Sequence, residues 1–416
     1  MTKKLHRRLA LTTAGMLCLL NTLPAQAAPA KSEIEQLKQQ VQMLMQQNQQ
    51  LNQRLTDMEK GMQSKPATTP EKAVIEEEVA RQLKEKKSGP NINEYVSLSG
   101  SIEGDYKLSQ GRDGANKSEF VLDTVELILD AKLTDWATGK IVVDYDGDDE
   151  DRLYLDEGHI TLGNTEEFPF FLTGGKIYAP FGDYSTNMIQ DPLTQTVGEI
   201  NPKGVIAGYE HNGITATVFS YNGMDEGDED NDTINGFGAS LGYSYEEEGK
   251  SLQAGVSWVS NIGDSSGITD YLESDEDGKT AISSITDEVP GLSLNLGGSY
   301  GAFSLITEYT TALDSFTAAE LAFGDNGAEP SAWNSELAYT TAIMDKETVF
   351  AVGYQKSWEA YALDTPEHRY ITSASMTVFE GTKVILEYYL DEFYDQDPDA
   401  INDDGYGFTT RLAYEF

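Results

Sequence analysis

The chain of 416 residues has one cysteine, Cys18, and four histidines. Each shortage excludes something. Cys18 lies in an N-terminal stretch that reads as a secretory signal peptide over residues 1–27. "MTKKLHRR" is its basic start, "LALTTAGMLCLLNTL" its apolar run, and "AQA" at Ala25–Ala27 its cleavage site. Leu17 stands where a lipoprotein signal ending on Cys18 needs a small residue. The processed chain is therefore expected to hold no disulfide, no thiolate and no cysteine-based metal site. In an oxidising compartment it must rely on packing and hydrogen bonding. His6 leaves with the signal, so His159, His211 and His368 remain, and H-E-x-x-H does not occur. With no aligned His–Ser or Asp–His pair, no catalysis and no cofactor are expected. Basic residues are scarce too: 29 Lys and Arg stand against 70 Asp and Glu, a formal charge of −41. Such a polyanion repels nucleic acid. A mean hydropathy of −0.43 argues against a bundle of membrane helices, and the signal's apolar run is too short to span.

Residues 31–62 carry an apolar seam: Ile34, Leu37, Val41, Leu44, Asn48, Leu51, Leu55, Met58 and Met62 are spaced alternately three and four apart. That period predicts a coiled coil. Asn48 falls at a central a position, where a buried amide fixes register and strand number at a cost in stability. A single surface helix is the plainer alternative. "SKPATTPEK" then breaks the helix, and residues 63–93 read as a linker and a short charged helix.

From residue 94 the period changes to two. In "EYVSLSGSIEGDY", Val96, Leu98, Ile102 and Tyr106 alternate with polar residues; "SLQAGVSWVS" and "RYITSASMTVF" repeat the pattern. About 16 such segments of roughly ten residues follow, suited to tilted strands crossing a bilayer. Every second connection is short: "TDWATG", "HNG", "EEEGK", "GA" and "EGT". The others are long and mostly acidic, including "DGDDEDR", "MDEGDEDND" and "YDQDPDAINDDG". That segregation predicts an all-β transmembrane barrel of about 16 antiparallel strands over residues 94–416, preceded by the α-helical coiled coil. Short turns would face the periplasm and long loops the outside. Closure is required because unpaired backbone groups in lipid cost several kcal/mol each. Sixteen strands are expected to enclose water rather than a packed core.

The alternation turns Glu103, Asp105, Glu126, Asp130, Lys132, Lys140, Asp144, Glu308, Glu336, Arg369, Lys383, Glu387 and Arg411 inward. They read either as solvated wall residues or as a field across the lumen that selects solutes. On the last strand Phe408, Leu412, Tyr414 and Phe416 are expected to face lipid and Arg411 the lumen, with this strand pairing to the first near Val96–Tyr106. Asp146–Asp151 and Asp225–Asp232 either keep loops soluble or bind divalent ions bridging lipopolysaccharide phosphates. "DQDPDAINDDGY" fails as an EF-hand, with Ala400 and Tyr406 where Gly and Glu belong.

One stretch departs from the acidic pattern, "GGKIYAPFGDYSTNMIQDPLTQTVGEI" over Gly174–Ile200, in which the only acids are Asp183, Asp191 and Glu199. It is expected either to fold inward and narrow the lumen or to serve as a lid or a contact between protomers. With the signal peptide, the Gln-rich coiled coil and the aromatic C-terminus, this stretch resembles the LbtU family of siderophore porins. The resemblance rests on Gly175, Lys176, Tyr178, Pro180, Phe181, Gly182, Thr186, Ile189, Asp191, Pro192, Leu193, Thr194, Gly198 and Glu199. It implies an outer-membrane barrel taking up ferric siderophores passively, without a plug domain, and a final strand read by the barrel-assembly machinery. The acidity suits a cationic or neutral cargo. The remaining expectations are a homo-oligomer, trimer ranked over dimer, set in outer-membrane lipid and lipopolysaccharide with the coiled coil in the periplasm. A general or cation-preferring porin and an envelope tether anchored by its barrel are the alternatives.

Overall fold

A computed structural model describes residues 95–147, 152–224, 234–273, 285, 287–398 and 400–416. The signal peptide, the coiled coil with Asn48 and the linker lie outside the described residues. So do residues 148–151 and 225–233, which hold most of the two acidic stretches considered for divalent ions.

The strands are β1 (Val96–Gln110), β2 (Asn116–Thr134), β3 (Ala137–Asp146), β4 (Arg152–Leu162), β5 (Phe170–Lys176), β6 (Lys203–His211), β7 (Ile214–Asn222), β8 (Ile234–Glu247) and β9 (Lys250–Val259). They continue with β10 (Gly291–Tyr300), β11 (Phe303–Ala312), the short β12 (Ala322–Phe323) and β13 (Asn326–Gly327), β14 (Ser331–Ile343), β15 (Lys346–Trp358), β16 (His368–Phe379), β17 (Thr382–Glu392) and β18 (Asp404–Glu415). Leaving aside the β12–β13 ribbon, sixteen strands close into one barrel in which chain neighbours pair and β1 meets β18. The seam runs from Ser101 opposite Glu415 to Gln110 opposite Tyr406. Gly100 and Phe416 extend it by exchanging two backbone hydrogen bonds of 3.1 Å. A Cβ on Gly100 would sit 3.1 Å from the Phe416 ring and 2.2 Å from the Glu126 carbonyl oxygen, so only glycine fits there.

Strand pattern and turn chemistry account for this order. Outward positions are apolar and exposed: Leu98, Leu127, Ile160, Leu172, Val218, Leu241, Leu294, Leu337, Val352 and Leu412. Aromatic residues cluster at both rims. Trp136, Phe170, Tyr300, Phe303, Phe379, Tyr414 and Phe416 lie at the short-turn end; Phe120, Phe237, Trp258, Tyr309, Trp333, Trp358 and Tyr406 lie at the long-loop end. A band of aliphatic residues between two aromatic girdles is the exterior of a transmembrane barrel. The "HNG" turn puts Asn212 and Gly213 at φ 52° and 78°, the left-handed pair that a two-residue hairpin needs. Met344 and Asp345 adopt the same conformation, φ 54° and 59°, without a glycine to announce it.

The interior differs from expectation on one side. Twenty apolar residues form a buried cluster drawn from the β5–β6, β7–β8, β9–β10, β11–β14 and β15–β16 connections and from the walls they cover. It includes Phe181, Leu193, Val197, Ile200, Ile262, Ile268, Phe316 and Leu321, all under 5% exposed. Helix α1 (Leu193–Gly198) and helix α2 (Ser266–Glu273) meet within it. A Cβ on Gly267 would lie 2.3 Å from the Thr196 carbonyl oxygen, which is what lets them approach. The expected water-filled lumen therefore applies to only part of the barrel, because the loops carry their own apolar face and bury it against the inner wall.

Candidate functional site

The β5–β6 connection, residues 177–202, runs inside the barrel. Its two ends are held on β4. Tyr178 donates its hydroxyl to Asp156 Oδ1 at 2.9 Å, and Asn201 donates its amide to the same oxygen at 2.9 Å. Lys176 Nζ donates to the Leu155 carbonyl oxygen at 2.8 Å. Between those ends the backbone crosses the wall over β11, β14, β15, β16 and β17. Asp183 and Tyr184 donate their N–H groups to the two oxygens of Glu308 at 2.8 and 3.0 Å. Asn187 N–H and the Thr186 hydroxyl donate to the two oxygens of Glu336 at 2.8 and 2.6 Å. Ile189 and Gln190 donate theirs to the two oxygens of Glu387. Ser373 Oγ donates to the Asn187 carbonyl at 2.9 Å, and Leu193 N–H to Gln355 Oε1 at 3.2 Å. Met188 packs on Ala338, Ala351 and Ile371, where two small residues leave it room.

The motif residues divide by what they meet. Pro180 and Gly182 turn the chain, Gly182 at φ 84° with its N–H on Ser257 Oγ at 3.0 Å. The Tyr184 ring lies where a Gly182 Cβ would stand, 2.2 Å away. Phe181 enters the apolar cluster. Pro192 precedes α1, Thr194 donates to Glu308 at 3.1 Å, and Glu199 ends the helix with its N–H on the Gln195 carbonyl. Asp191 is exposed and Glu199 half-buried. Burial first, then Asp191 and Asp156 nearby, push the Glu199 carboxyl up to about 7. Burial likewise pushes the Tyr178 hydroxyl well above its usual range.

Of the inward residues expected from alternation, Glu308, Glu336 and Glu387 are thus not solvated wall groups; they are at most 3% exposed, beneath the loop. Arg369 is half-buried, paired with Asp391 at 2.8 and 2.9 Å and stacked 4.8 Å from the Tyr389 ring centre. Apart from Lys383 on β17, the sector of β1–β4 and β18 holds the rest. Arg411 binds Asp105 with two bonds of 2.9 Å and also contacts Glu103 and Asp123. Lys107 pairs with Asp123 at 2.7 Å, and Lys140 with Glu157 at 2.7 Å. Glu126 stands directly opposite Asp144, and Asp130 opposite Lys140. Lys132 pairs with Asp135 at 3.3 Å and Lys383 with Glu415 at 2.9 Å, both pairs at the short-turn rim. A cavity of about 470 Å³ in this sector is lined by Asp130, Lys132, Lys140 and His159.

Two acids in this sector escape a strict period of two. The β1–β2 register skips Asp123, and the β3–β4 register skips Asp156. In each case a β-bulge gives one strand an extra residue. The signal in sequence is two polar residues side by side, Asp123–Thr124 and Asp156–Glu157, inside otherwise alternating strands.

An apolar exterior, two aromatic girdles, closure without an edge and a charged interior sector define a membrane barrel of the outer-membrane porin type. No protein-family model matches the chain. The chain is similar to UPF0422 proteins. One from Coxiella burnetii (strain RSA 493 / Nine Mile phase I) is 28% identical over 313 residues, covering 72% of this chain and 64% of that protein. UPF0422 protein lpl2888 of Legionella pneumophila (strain Lens) is 26% identical over 328 residues, covering 73% and 60%. The chain thus spans about three-fifths of the length of the curated relatives it matches. Among solved structures, OprB of Pseudomonas putida aligns with TM-score 0.53 at 11% identity, over 78% of this chain and 95% of that one. The outer membrane channel DcaP of Acinetobacter baumannii aligns with TM-score 0.50 at 16% identity, over 77% and 97%. Both are likenesses of fold.

Proposed function

We propose that the protein is a passive diffusion channel of the outer membrane for small cationic or neutral solutes, and that the loop of residues 177–202 is its constriction. The carrying observation is the contrast inside the barrel: the loop and the apolar cluster occupy one side, while the other keeps charged, partly exposed wall groups. Acids lead there: Glu103, Asp105, Asp123, Glu126, Asp130, Asp144, Asp156 and Glu157 stand against Lys107, Lys132, Lys140 and Arg411 on these strands. Such a wall concentrates cations and repels anions. The cargo proposed is a ferric siderophore of neutral or positive charge, from the likeness of the Gly175–Glu199 run to siderophore porins. Self-association through the heptads of residues 31–62, as a trimer ahead of a dimer, is the proposed assembly. The final strand, with Phe408, Leu412, Tyr414 and Phe416, is the proposed signal to the assembly machinery.

The test is single-channel conductance of the purified protein with reversal potentials under a salt gradient, followed by titration of neutral, cationic and anionic ferric siderophores. A cation-selective channel blocked by a neutral or cationic complex supports the proposal. A channel indifferent to every siderophore leaves a cation-preferring general porin, the reading that the acidic wall favours on its own. No channel at all refutes transport.

A further inference from the structure

The geometry points to Glu308, Glu336 and Glu387 as positioning residues for the constriction: a three-rung carboxylate latch that fixes the loop across the barrel and so sets the width of the passage. Each rung takes the same form. The loop offers donors at residues 183/184, 186/187 and 189/190, a spacing of three, and each wall carboxylate receives one pair on its two oxygens. The rungs stand on β11, β14 and β17, so the loop is tied transversely to the strands rather than along one of them. Ser373 Oγ and Gln355 Oε1 hold it over the strands between, and Met188 is seated between rungs.

The chemistry calls for ionised carboxylate. Two neighbouring donors aimed at one side chain, two N–H groups at Glu308 and Glu387 and an N–H with the Thr186 hydroxyl at Glu336, are matched by two acceptor oxygens and no donor. Glutamine offers one oxygen, and its NH₂ group would face a backbone N–H. The acceptor capacity is well used. Glu308 also accepts from Thr194 and Ser293 at 3.1 Å each, and Glu336 from Asn334 at 3.2 Å. Buried anions are tolerated when several hydrogen bonds to the charged form replace water. In the wall sequence these are three acids among many inward ones; the matched donor pairs on the loop set them apart.

The experiment compares wild type with E308Q, E336Q, E387Q and the triple variant, all purified as full chains in detergent, with heat-modifiable gel mobility as the check of folding. Hydrogen exchange of residues 183–190 is read first and does not need conduction. Each single variant should speed exchange at least tenfold at its own rung's amides and leave the other rungs protected, a locality that general loosening of the barrel does not produce. Conductance is read second, and only this arm rests on the channel reading. The triple variant should conduct at least twofold more than wild type with an unchanged cation-to-anion permeability ratio, because the carboxylates lie beneath the loop and not on the passage. Wild-type exchange rates in the variants overturn the latch. So do freed amides with unchanged conductance. A wild-type protein that forms no channel refutes the function proposed above, while the exchange data still decide whether the carboxylates hold the loop. Where the triple variant fails to fold, the three single variants decide both arms.

Discussion

The two sides of the lumen solve one problem differently. From β6 to β16, inward positions are covered by the chain's own loops, and the wall there combines small or apolar residues, Ala312, Ala332, Ala338, Ala351 and Val259, with polar groups such as Glu308, Glu336 and Gln355 that bond the loop, all of them buried. From β1 to β4 and at β18, no residue belongs to the apolar cluster, and inward positions carry charges that pair with each other across neighbouring strands. A sixteen-stranded barrel is too wide to fill with wall side chains. Filling one side with loops narrows it without adding a strand or a domain. The lesson is that barrel size and passage size are separate quantities, the second set by what folds inside.

That contrast can be broken outright. Deleting Gly182–Gly198 removes α1 and all three donor pairs. Single-channel conductance should rise severalfold, the largest effect expected here; an unchanged value would mean the loop does not limit flow. Next in size is Arg411→Ala. It leaves Glu103 and Asp105 without their guanidinium and Asp123 with Lys107 alone, and because the cluster is only partly buried the cost falls below the roughly 3–5 kcal/mol of a fully buried pair. Thermal unfolding followed by gel mobility should show the loss, and Arg411→Lys should recover only part because an ammonium cannot bind Asp105 through two bonds. A finer probe compares the sides directly. Glu157→Gln frees Lys140 on the open side and should lower cation over anion permeability roughly twofold, whereas Glu336→Gln should leave that ratio alone. Equal shifts would erase the distinction.

The smallest expected effect is titration of Glu199. Its carboxyl is pushed up from 4.5 to about 7, so it carries charge above that pH and loses it below. Cation preference should therefore step down as pH falls through about 7, and Glu199→Gln should abolish the step. The linkage runs the other way for stability. A raised carboxyl contributes fully below its unfolded value and loses that contribution as pH rises through about 7, so amides near Glu199 should exchange faster at pH 8 than at pH 5 once intrinsic rates are corrected.

Much of the barrel is legible because a strand's period of two is strict wherever one face meets lipid and the other water. The long and short connections alternate as the composition suggests, down to the Asn212–Gly213 turn. Met344–Asp345 is invisible because nothing about those residue types asks for left-handed backbone. Asp123 and Asp156 are misassigned by simple alternation because a bulge shifts the phase, and only the paired strand reveals it. Glu308, Glu336 and Glu387 are legible as inward, yet their partners lie 125, 149 and 198 residues away in the chain. No local pattern connects donors and acceptors separated that far. The Gly174–Ile200 run stands out through its low acidity, a consequence of lying against a wall that supplies the negative charge itself.

One pairing carries further than its own strength. Asp105 and Arg411 face each other where the first and last strands meet, with Glu103 two positions to one side and Lys107 two to the other. A slip of two residues in one direction would set Arg411 against Lys107. A slip the other way would abandon the bidentate contact with Asp105 and draw Phe416 off Gly100, the one position with space for its ring. The stagger with which a sheet closes fixes the tilt of every strand and the girth of the cylinder. The shear of the whole barrel is thus written in a handful of side chains at the seam, and a fault there would alter the bore along its full length.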